Sequence, residues 1–287
     1  MQPTQFPDVL YHYTTLEGLL GIFESKTLWA TDAEFLNDAQ EMQFGRPEMH
    51  RALLDRAEVL YPQGTHPEPG ATPGAQERYS RAAAIRSAAD ELNPEPGPFA
   101  RYCHRVAYVA CFCEQGDLLS QWRGYSSGGG YALGFDRDEL SEVQGPDMDL
   151  MPELVKVHYG VDHIMSVVGP VIGAITRCGT GDPGVHGLME PLVFPALAGM
   201  KHPAFEEEKE WRLIVAGEPS AQAVKFRQGA IAPTPYMALA FAPTALRHVV
   251  VGPGPHAELR RDGVARLLGT SGEWEAEVEL SRAPFRG

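Results

Sequence analysis

The sequence has no apolar run that approaches about twenty residues, the length that a helix needs to cross a bilayer. Its N-terminal segment also lacks the basic start and apolar core of a secretory signal peptide. The 287 residues are nevertheless 44% hydrophobic, which is enough to build a substantial core. These features predict a globular cytoplasmic protein without membrane contact.

Basic residues are scarce. The chain has 24 lysines and arginines against 38 aspartates and glutamates, which gives a formal net charge of −14. A protein that binds nucleic acid over a broad surface presents clustered positive charge, because phosphate contacts release counterions. The charge balance argues against such a surface, so we expect a nucleic-acid partner to make local contacts only.

Cysteine is also rare, with four residues in the whole chain. Cys111 and Cys113 flank Phe112 in a strand-like run, but no second pair stands at the spacing of a zinc site. Four cysteines in a chain of this length are typical of buried thiols in a reducing compartment. We predict no metal site.

Periodicity and turn residues predict an α+β protein with mixed or antiparallel sheets and flanking helices. No clear boundary or repeat divides residues 1–287, so we predict a single domain with insertions at 60–100 and 160–195. The predicted helices cover 39–59, 76–92, 161–175, a stretch that ends near 200, and 256–268. The predicted strands cover 106–113, 130–135, 154–159, 211–216, 247–251 and 273–280.

An acidic segment at 205–215 leads directly into an apolar strand. At the two-residue period of a strand, Glu208, Glu210 and Arg212 share one face. The opposite face begins with Trp211 and is apolar. Two interpretations stay open: a solvated acidic turn before an edge strand, or a carboxylate held in a fixed direction by a buried tryptophan face.

Near the N-terminus, a short strand-like run ends in His12 and Tyr13 and is followed by an amphipathic helix. Thr14 and Glu17 have the spacing of a capping box at its start. The predicted apolar stripe of this helix is Leu16, Leu19, Leu20 and Phe23. A helix N-terminus offers unpaired N–H groups and partial positive charge, which suit an anionic ligand such as a pyrophosphate. His12 is therefore either a ligand-binding residue or an ordinary structural histidine.

Trp122 and Tyr125 stand three residues apart in a predicted helical turn, with Arg123 between them. Aromatic rings beside an arginine can hold a flat nicotinamide or adenine ring, although the same spacing is also typical of core packing. The glycines at 128–130 follow a loop and enter a strand, so they do not form a Rossmann dinucleotide fingerprint.

Taken together, several short segments resemble the domain-of-unknown-function family 2971. They are Tyr11–Thr14, Phe35–Glu41, Cys111–Phe112, Trp122–Tyr125 with Gly134–Phe135, Glu208–Arg212 and Val249–Pro253. Their arrangement also resembles ADP-ribosyltransferases of the DarT type, in which a strand-end His-Tyr/Phe-Thr precedes a helix and a late strand begins with the catalytic glutamate.

The second resemblance implies an ADP-ribosyltransferase-like fold in which two small sheets hold NAD as a substrate. It implies that Glu210 stabilises the oxocarbenium-like ribose left by nicotinamide, or orients and deprotonates the acceptor. Glu208 would orient the acceptor or the ribose, and Arg212 would hold Glu210 or contact a phosphate. Asp38 and Glu41 are further carboxylates, so the choice of the catalytic one stays open. The cofactor-binding residues that the resemblance implies are His12, Tyr13, Thr14, Asn37, Trp122 and Tyr125.

By analogy with DarT-like enzymes, we expect action on DNA or RNA in a bacterial toxin or phage-defence setting. A protein or small-molecule acceptor is an alternative, since no residue identifies the acceptor. Two other classes of function stay open. One is a non-enzymatic module that binds a nucleotide or a partner around His12, Asn37, Glu210 and Arg212, and the other is a nuclease that uses the carboxylates.

Overall fold

The computed structural model of the protein describes residues 6–36, 41–93, 106–125, 129–147, 150–160, 168–170, 172–174, 193–217, 219–229 and 232–284. Within these residues, ten strands form one mixed, mostly antiparallel sheet and two short strands form a second. Helices flank the large sheet. The predicted α+β class with mixed sheets and flanking helices is therefore confirmed. No helix in the described residues has both the length and the apolar character needed to span a bilayer.

The strands are β1 (Val9–Thr14), β2 (Thr27–Asp32), β3 (Val106–Cys113), β4 (Tyr131–Asp136), β5 (Glu153–Lys156), β6 (His158–Tyr159), β7 (Met200–Lys201), β8 (Glu210–Gly217), β9 (Val224–Gln228), β10 (Pro233–Ala240), β11 (Leu246–Val251) and β12 (Glu277–Leu280). The α-helices are α1 (Leu16–Ser25), α2 (Glu41–Leu60), α3 (Pro73–Glu91), α4 (Leu119–Tyr125), α5 (Arg137–Leu140), α6 (Phe194–Ala198) and α7 (Ala257–Ser271). Short 3₁₀ helices cover Ala33–Phe35, Pro203–Glu208 and Pro243–Ala245.

All six predicted strands are present, and the stretch predicted at 154–159 is divided between β5 and β6. Helices α2, α3 and α7 lie where they were predicted, whereas the helix that ends near residue 200 is the short α6. Strands β2, β7, β9 and β10 were not predicted. Strand β10 contains Pro233 and Pro235, which argue against a strand because proline cannot donate to the ladder. The predicted cap at Asn37 and Asp38 lies outside the described residues.

The large sheet branches at β3. One edge of β3 pairs with β8 along all eight of its residues. Its other edge is shared by two strands, because β1 pairs at Cys113 and β2 pairs at Tyr108 and Val109. Between these two contacts, the carbonyl oxygen of Cys111 accepts a hydrogen bond from Nδ1 of His12 at 2.9 Å. The divergence of β1 from β2 therefore opens the sheet beside Cys111.

Helix α1 begins one residue later than the sequence predicts. Thr15 is the N-cap, and its hydroxyl oxygen accepts from the backbone N–H of Gly18 at 3.2 Å. Thr14 is instead the last residue of β1, paired with Tyr131. The capping box of Thr14 and Glu17 is therefore wrong. The apolar stripe is also different: Leu19, Ile22 and Phe23 are buried, whereas Leu16 and Leu20 are exposed.

Four groups of buried residues stabilise the described part of the fold, and two of them are much larger than the others. The larger core lies between the sheet and α1 and α7, and it includes Leu10, Leu133 and the Trp211 side of β8. A second core forms between α2 and α3, around Met49, Leu53 and Ile85, with α6 packed against it. Helix α2 also packs against β7. The helical hairpin thus has its own apolar interior and contacts the sheet region through β7.

Candidate functional site

A narrow cleft lies where the sheet branches. It has about 50 Å³ of water-accessible space. Its walls come from β1, β3, α4 and the segment that enters β8. The lining residues are Tyr11, His12, Tyr13, Cys111, Phe112, Cys113, Gln121, Tyr125, Glu208 and Glu210. Segments that are about two hundred residues apart in the sequence therefore meet around one opening.

The carboxylate of Glu210 lies at the base of this cleft in a buried ion cluster. Arg212 donates to it from Nε at 2.7 Å and from Nη2 at 3.0 Å. Lys201 donates from Nζ to Oε2 of Glu210 at 2.9 Å. The side chains of Glu210 and Arg212 are 5% and 2% exposed. The interpretation of this segment as a solvated acidic turn is therefore wrong for these two residues.

Burial alone would raise the pKa of the Glu210 carboxyl, because a charge is costly in a low-dielectric interior. The charges and hydrogen bonds of Arg212, together with the charge of Lys201, outweigh this effect and lower the pKa to about 2. Glu210 is consequently an anion at neutral pH and a very weak proton acceptor. Glu210 can therefore stabilise a nearby positive charge, but it is not suited to take up a proton.

Glu208 is placed differently although it lies only two residues away. It is the last residue of the 3₁₀ helix Pro203–Glu208, and Lys209 then turns the chain into β8 with a positive φ of 43°. Nζ of Lys201 donates to Oε2 of Glu208 at 2.8 Å. The Glu208 side chain is 22% exposed. The structure thus brings Glu208, Glu210 and Arg212 together, but the prediction of one shared strand face holds for Glu210 and Arg212 only, because Glu208 precedes β8 and lies on the solvent side.

His12 enters the cleft from β1. Because a carbonyl oxygen only accepts, Nδ1 of His12 is the donor to Cys111, and the neutral ring then carries Nε2 as an acceptor. Burial lowers the pKa of His12, and the charge of Arg227 lowers it further against the opposing effect of the bond to Cys111. A neutral His12 with an acceptor nitrogen suits a hydroxyl group of a ligand.

The aromatic candidates divide between the wall and the rim of the cleft. The hydroxyl group of Tyr13 donates to the carbonyl of Gln115 at 2.8 Å and accepts from the N–H of Leu118 at 2.9 Å. Trp122 is buried, packs edge-on against Tyr13 with ring centroids 4.7 Å apart, and donates to a carboxylate. Tyr125 is 44% exposed and lines the cleft. Tyr125 therefore has an open ring, whereas Trp122 supports the wall from behind.

A further candidate, Thr14, is not part of the cleft lining. Thr14 ends β1, and its hydroxyl oxygen lies so close to Gly18 that a Cβ built there would approach within 2.0 Å. Asn37 lies outside the described residues. Thr14 thus contacts the first turn of α1 rather than the opening.

The two cysteines of β3 both line the cleft. Sγ of Cys113 donates to the carbonyl of Glu208 at 2.7 Å, and burial raises the pKa of this thiol to about 11. Its role is to fix the segment that precedes β8. Away from the cleft, the potential metal-ligating atoms of His248, Glu277 and Glu279 lie within 4.8 Å of one another, and both glutamates are exposed.

Comparison with known proteins adds a family. Residues 121–213 match the model of a family described as protein of unknown function, DUF2971. The chain is similar to DUF2971 over this segment. The family resemblance predicted from the sequence is confirmed for residues 121–213. No curated protein and no solved structure matches the chain.

The DUF2971 segment carries most of the polar side of the cleft. It contains Gln121 and Tyr125, the 3₁₀ helix and the start of β8, whereas β1 with His12 lies outside it. Sequence reasoning missed Lys201, Gln121 and Tyr159 in this segment. The hydroxyl oxygen of Tyr159 accepts from the backbone N–H of Glu210 at 2.7 Å. A lysine at the start of a polar loop gives no sequence signal of burial, since lysine is usually exposed.

Proposed function

We propose that this protein is an NAD-dependent ADP-ribosyltransferase and that the cleft at the branch of the sheet holds the nicotinamide ribose. The observation that carries the proposal is the meeting of His12, Tyr125 and Glu210 in one cleft. These residues supply a hydroxyl-binding imidazole, an open aromatic ring and a permanent anion. The proposal includes the ADP-ribosyltransferase-like arrangement of strands around the substrate.

The chemistry follows from these groups. Nicotinamide leaves with the electron pair of its bond to ribose, so positive charge develops on the ribose carbon and ring oxygen. A fixed anion stabilises that charge without reorganising, and Glu210 is such an anion because its pKa is about 2. Nε2 of His12 is an acceptor for a ribose hydroxyl, and the Tyr125 ring can stack on nicotinamide.

NAD is larger than the cleft, which has about 50 Å³ of water-accessible space. Binding therefore requires part of the rim to move outward. Tyr125 at the end of α4 is the exposed member of the lining, and it is the residue we expect to be displaced. A change in Tyr125 on NAD binding is thus part of the proposal.

A local aromatic and basic surface on β2, β9 and β10 supports a nucleic-acid acceptor, DNA or RNA. The rings of Trp29 and Tyr236 lie 4.6 Å apart, and the Arg227 guanidinium is 5.8 Å from the centre of the Trp29 ring. Lys225 is also exposed on β9. Neighbouring aromatic rings with cations suit bases and phosphates, and the surface is small enough to agree with a net charge of −14. A bacterial toxin or phage-defence setting belongs to the same proposal by analogy.

A second candidate is a non-enzymatic module that binds a nucleotide or a partner. It is favoured by the saturation of Glu210, because both of its carboxylate oxygens already accept hydrogen bonds from buried cations. Such a cluster can be purely structural. The two candidates differ in whether nicotinamide is released.

The test is calorimetric titration of NAD into the protein, followed by mass detection of nicotinamide. If the protein is a transferase, NAD binds saturably and nicotinamide is released. The rate of release then falls strongly in Glu210→Gln. The matched control is Glu206→Gln, which removes an exposed carboxylate from the same 3₁₀ helix. Binding without release in any variant supports the binding module. No binding at millimolar NAD rejects the transferase.

A further inference from the structure

Lys201 is a buried cation that links the two carboxylates of the cleft. It lies in β7, and its side chain is 6% exposed. Nζ donates to Glu208 at 2.8 Å and to Glu210 at 2.9 Å, and it lies 4.7 Å from the centre of the Phe205 ring. A buried ammonium is costly unless paired, so the carboxylates explain why a lysine is tolerated here.

The two carboxylates that share Lys201 are not equivalent. Glu210 is held by two hydrogen bonds from Arg212, and its side chain is 5% exposed. Glu208 lies outside the strand, at the end of the 3₁₀ helix, and is 22% exposed. An acceptor that approaches from solvent therefore reaches Glu208 before Glu210.

We propose that Lys201 is a positioning residue that divides the reaction between these carboxylates. It holds Glu208 on the solvent side as the general base for the acceptor, while Glu210 stays an anion that stabilises the ribose. The inference rests on the ADP-ribosyl transfer proposed above. It assigns the proton acceptor, which the sequence leaves open.

The step balances as a substitution at the ribose carbon. The acceptor oxygen or nitrogen forms a bond to that carbon, and the bond to nicotinamide breaks with its electron pair on the nicotinamide nitrogen. The proton of the acceptor moves to the carboxylate of Glu208 and then to water. No oxidant or metal is required.

The charge balance around Lys201 predicts what its loss does. Glu208 and Glu210 face it directly, and Arg212 lies behind Glu210. Among the described residues, further titratable groups beside these carboxylates are Cys111, Cys113, Tyr125 and Tyr159. Loss of solvent around the thiol or hydroxyl group raises the pKa of Cys113, Tyr125 and Tyr159, so these three stay neutral at pH 7. For Tyr125 the shielded part is the hydroxyl group, since the residue as a whole is 44% exposed. Lys201→Met removes the cation that contacts both carboxylates, which raises the pKa of the Glu208 carboxyl because its charged form loses a stabilising partner.

The experiment combines two readouts on the full-length protein. The pH dependence of nicotinamide release from NAD, with water as acceptor, is measured for the parent, Lys201→Met, Lys201→Arg and Glu208→Gln. Carbon-13 NMR of labelled glutamate carboxyls gives the Glu208 pKa directly, assigned by its absence in Glu208→Gln. Near-UV circular dichroism checks folding, and Glu206→Gln is the control.

We expect Lys201→Met to shift both the acidic limb of the rate profile and the midpoint of the Glu208 titration to higher pH. Lys201→Arg should restore both to their parent values. Glu208→Gln should lose the acidic limb and about 10²-fold or more of the rate. An unshifted Glu208 signal, or a parent-like profile in Glu208→Gln, overturns the role of Lys201 even if nicotinamide is released. Absence of release from the parent protein instead rejects the proposed function, and this role with it.

Discussion

At the scale of single residues, the cleft depends on a carboxylate that is ionised because of its neighbours. Glu210 has almost no contact with solvent, yet Arg212 and Lys201 keep it charged. Removing one partner of such a buried ion pair destabilises the fold by more than the intact pair stabilises it, because the remaining charge is left uncompensated. Function and folding are therefore coupled at this residue.

The pH dependence of stability tests the Glu210 environment. The folded pKa is depressed from 4.5 to about 2, so its stabilising contribution is complete above pH 4.5 and is lost as the pH falls toward 2. The shift corresponds to about 3 kcal/mol of unfolding free energy. Urea unfolding at pH 7, 5 and 3 should show a steeper acid decline in the parent than in Glu210→Gln. Parallel declines in the two proteins contradict the prediction, and Glu206→Gln should behave like the parent.

At the scale of elements, the junction between β1 and α1 sets where His12 lies. Strand β1 ends at Thr14 and the helix begins at Leu16, with Thr15 as its cap. There is no room for a side chain at Gly18, because Thr14 packs against it. This contact fixes the angle at which the strand enters the helix.

Two glycines of α1 give a matched comparison. In Gly18→Ala the new Cβ approaches Oγ1 of Thr14 to 2.0 Å, so either the threonine or the helix must shift. In Gly21→Ala the nearest atom is 3.9 Å away, an ordinary contact. Gly18→Ala should lower the unfolding free energy by about 1 kcal/mol or more, whereas Gly21→Ala should raise it by about 0.5–1 kcal/mol through helix propensity. Chemical denaturation measures both, and equal effects contradict the close packing at Thr14.

At the scale of the whole molecule, the described residues form a branched sheet with one large core and a helical hairpin with another. The hairpin meets the rest of the protein at β7 and α6. Strand β7 also carries Lys201, whose side chain forms ion pairs with both carboxylates of the cleft. The hairpin therefore supports the position of this lysine. We therefore expect a mutation in one core to destabilise that core without unfolding the other.

Hydrogen exchange tests this separation. Leu53 and Leu133 are fully buried, one in each core, and truncation to alanine costs about 2–5 kcal/mol at such positions. Leu53→Ala should lower amide protection within α2 and α3 and leave the β4 and β11 amides protected. Leu133→Ala should lower protection throughout the sheet. A uniform loss of protection in Leu53→Ala shows instead that the two cores unfold as one unit.

Local pattern was sufficient for most elements. The apolar face that begins at Trp211 is in the core, and helices α2 and α3 occupy the predicted stretches. The errors are also local in origin. The cap of α1 moved from Thr14 to Thr15 because two adjacent threonines have the same chemistry, and the first ends a strand by pairing with Tyr131.

The sequence by itself determined the α+β composition, the alternation of β8 and the presence of Glu210 and Arg212 on one face. The tertiary structure decided where β3 branches, that His12 donates to Cys111 ninety-nine residues away, and that Lys201 is buried between two carboxylates. The physical reason is that period and propensity act over a few residues, whereas sheet branching and charge pairing depend on which strands meet. A lysine is buried only where folding has already placed the carboxylates that neutralise it.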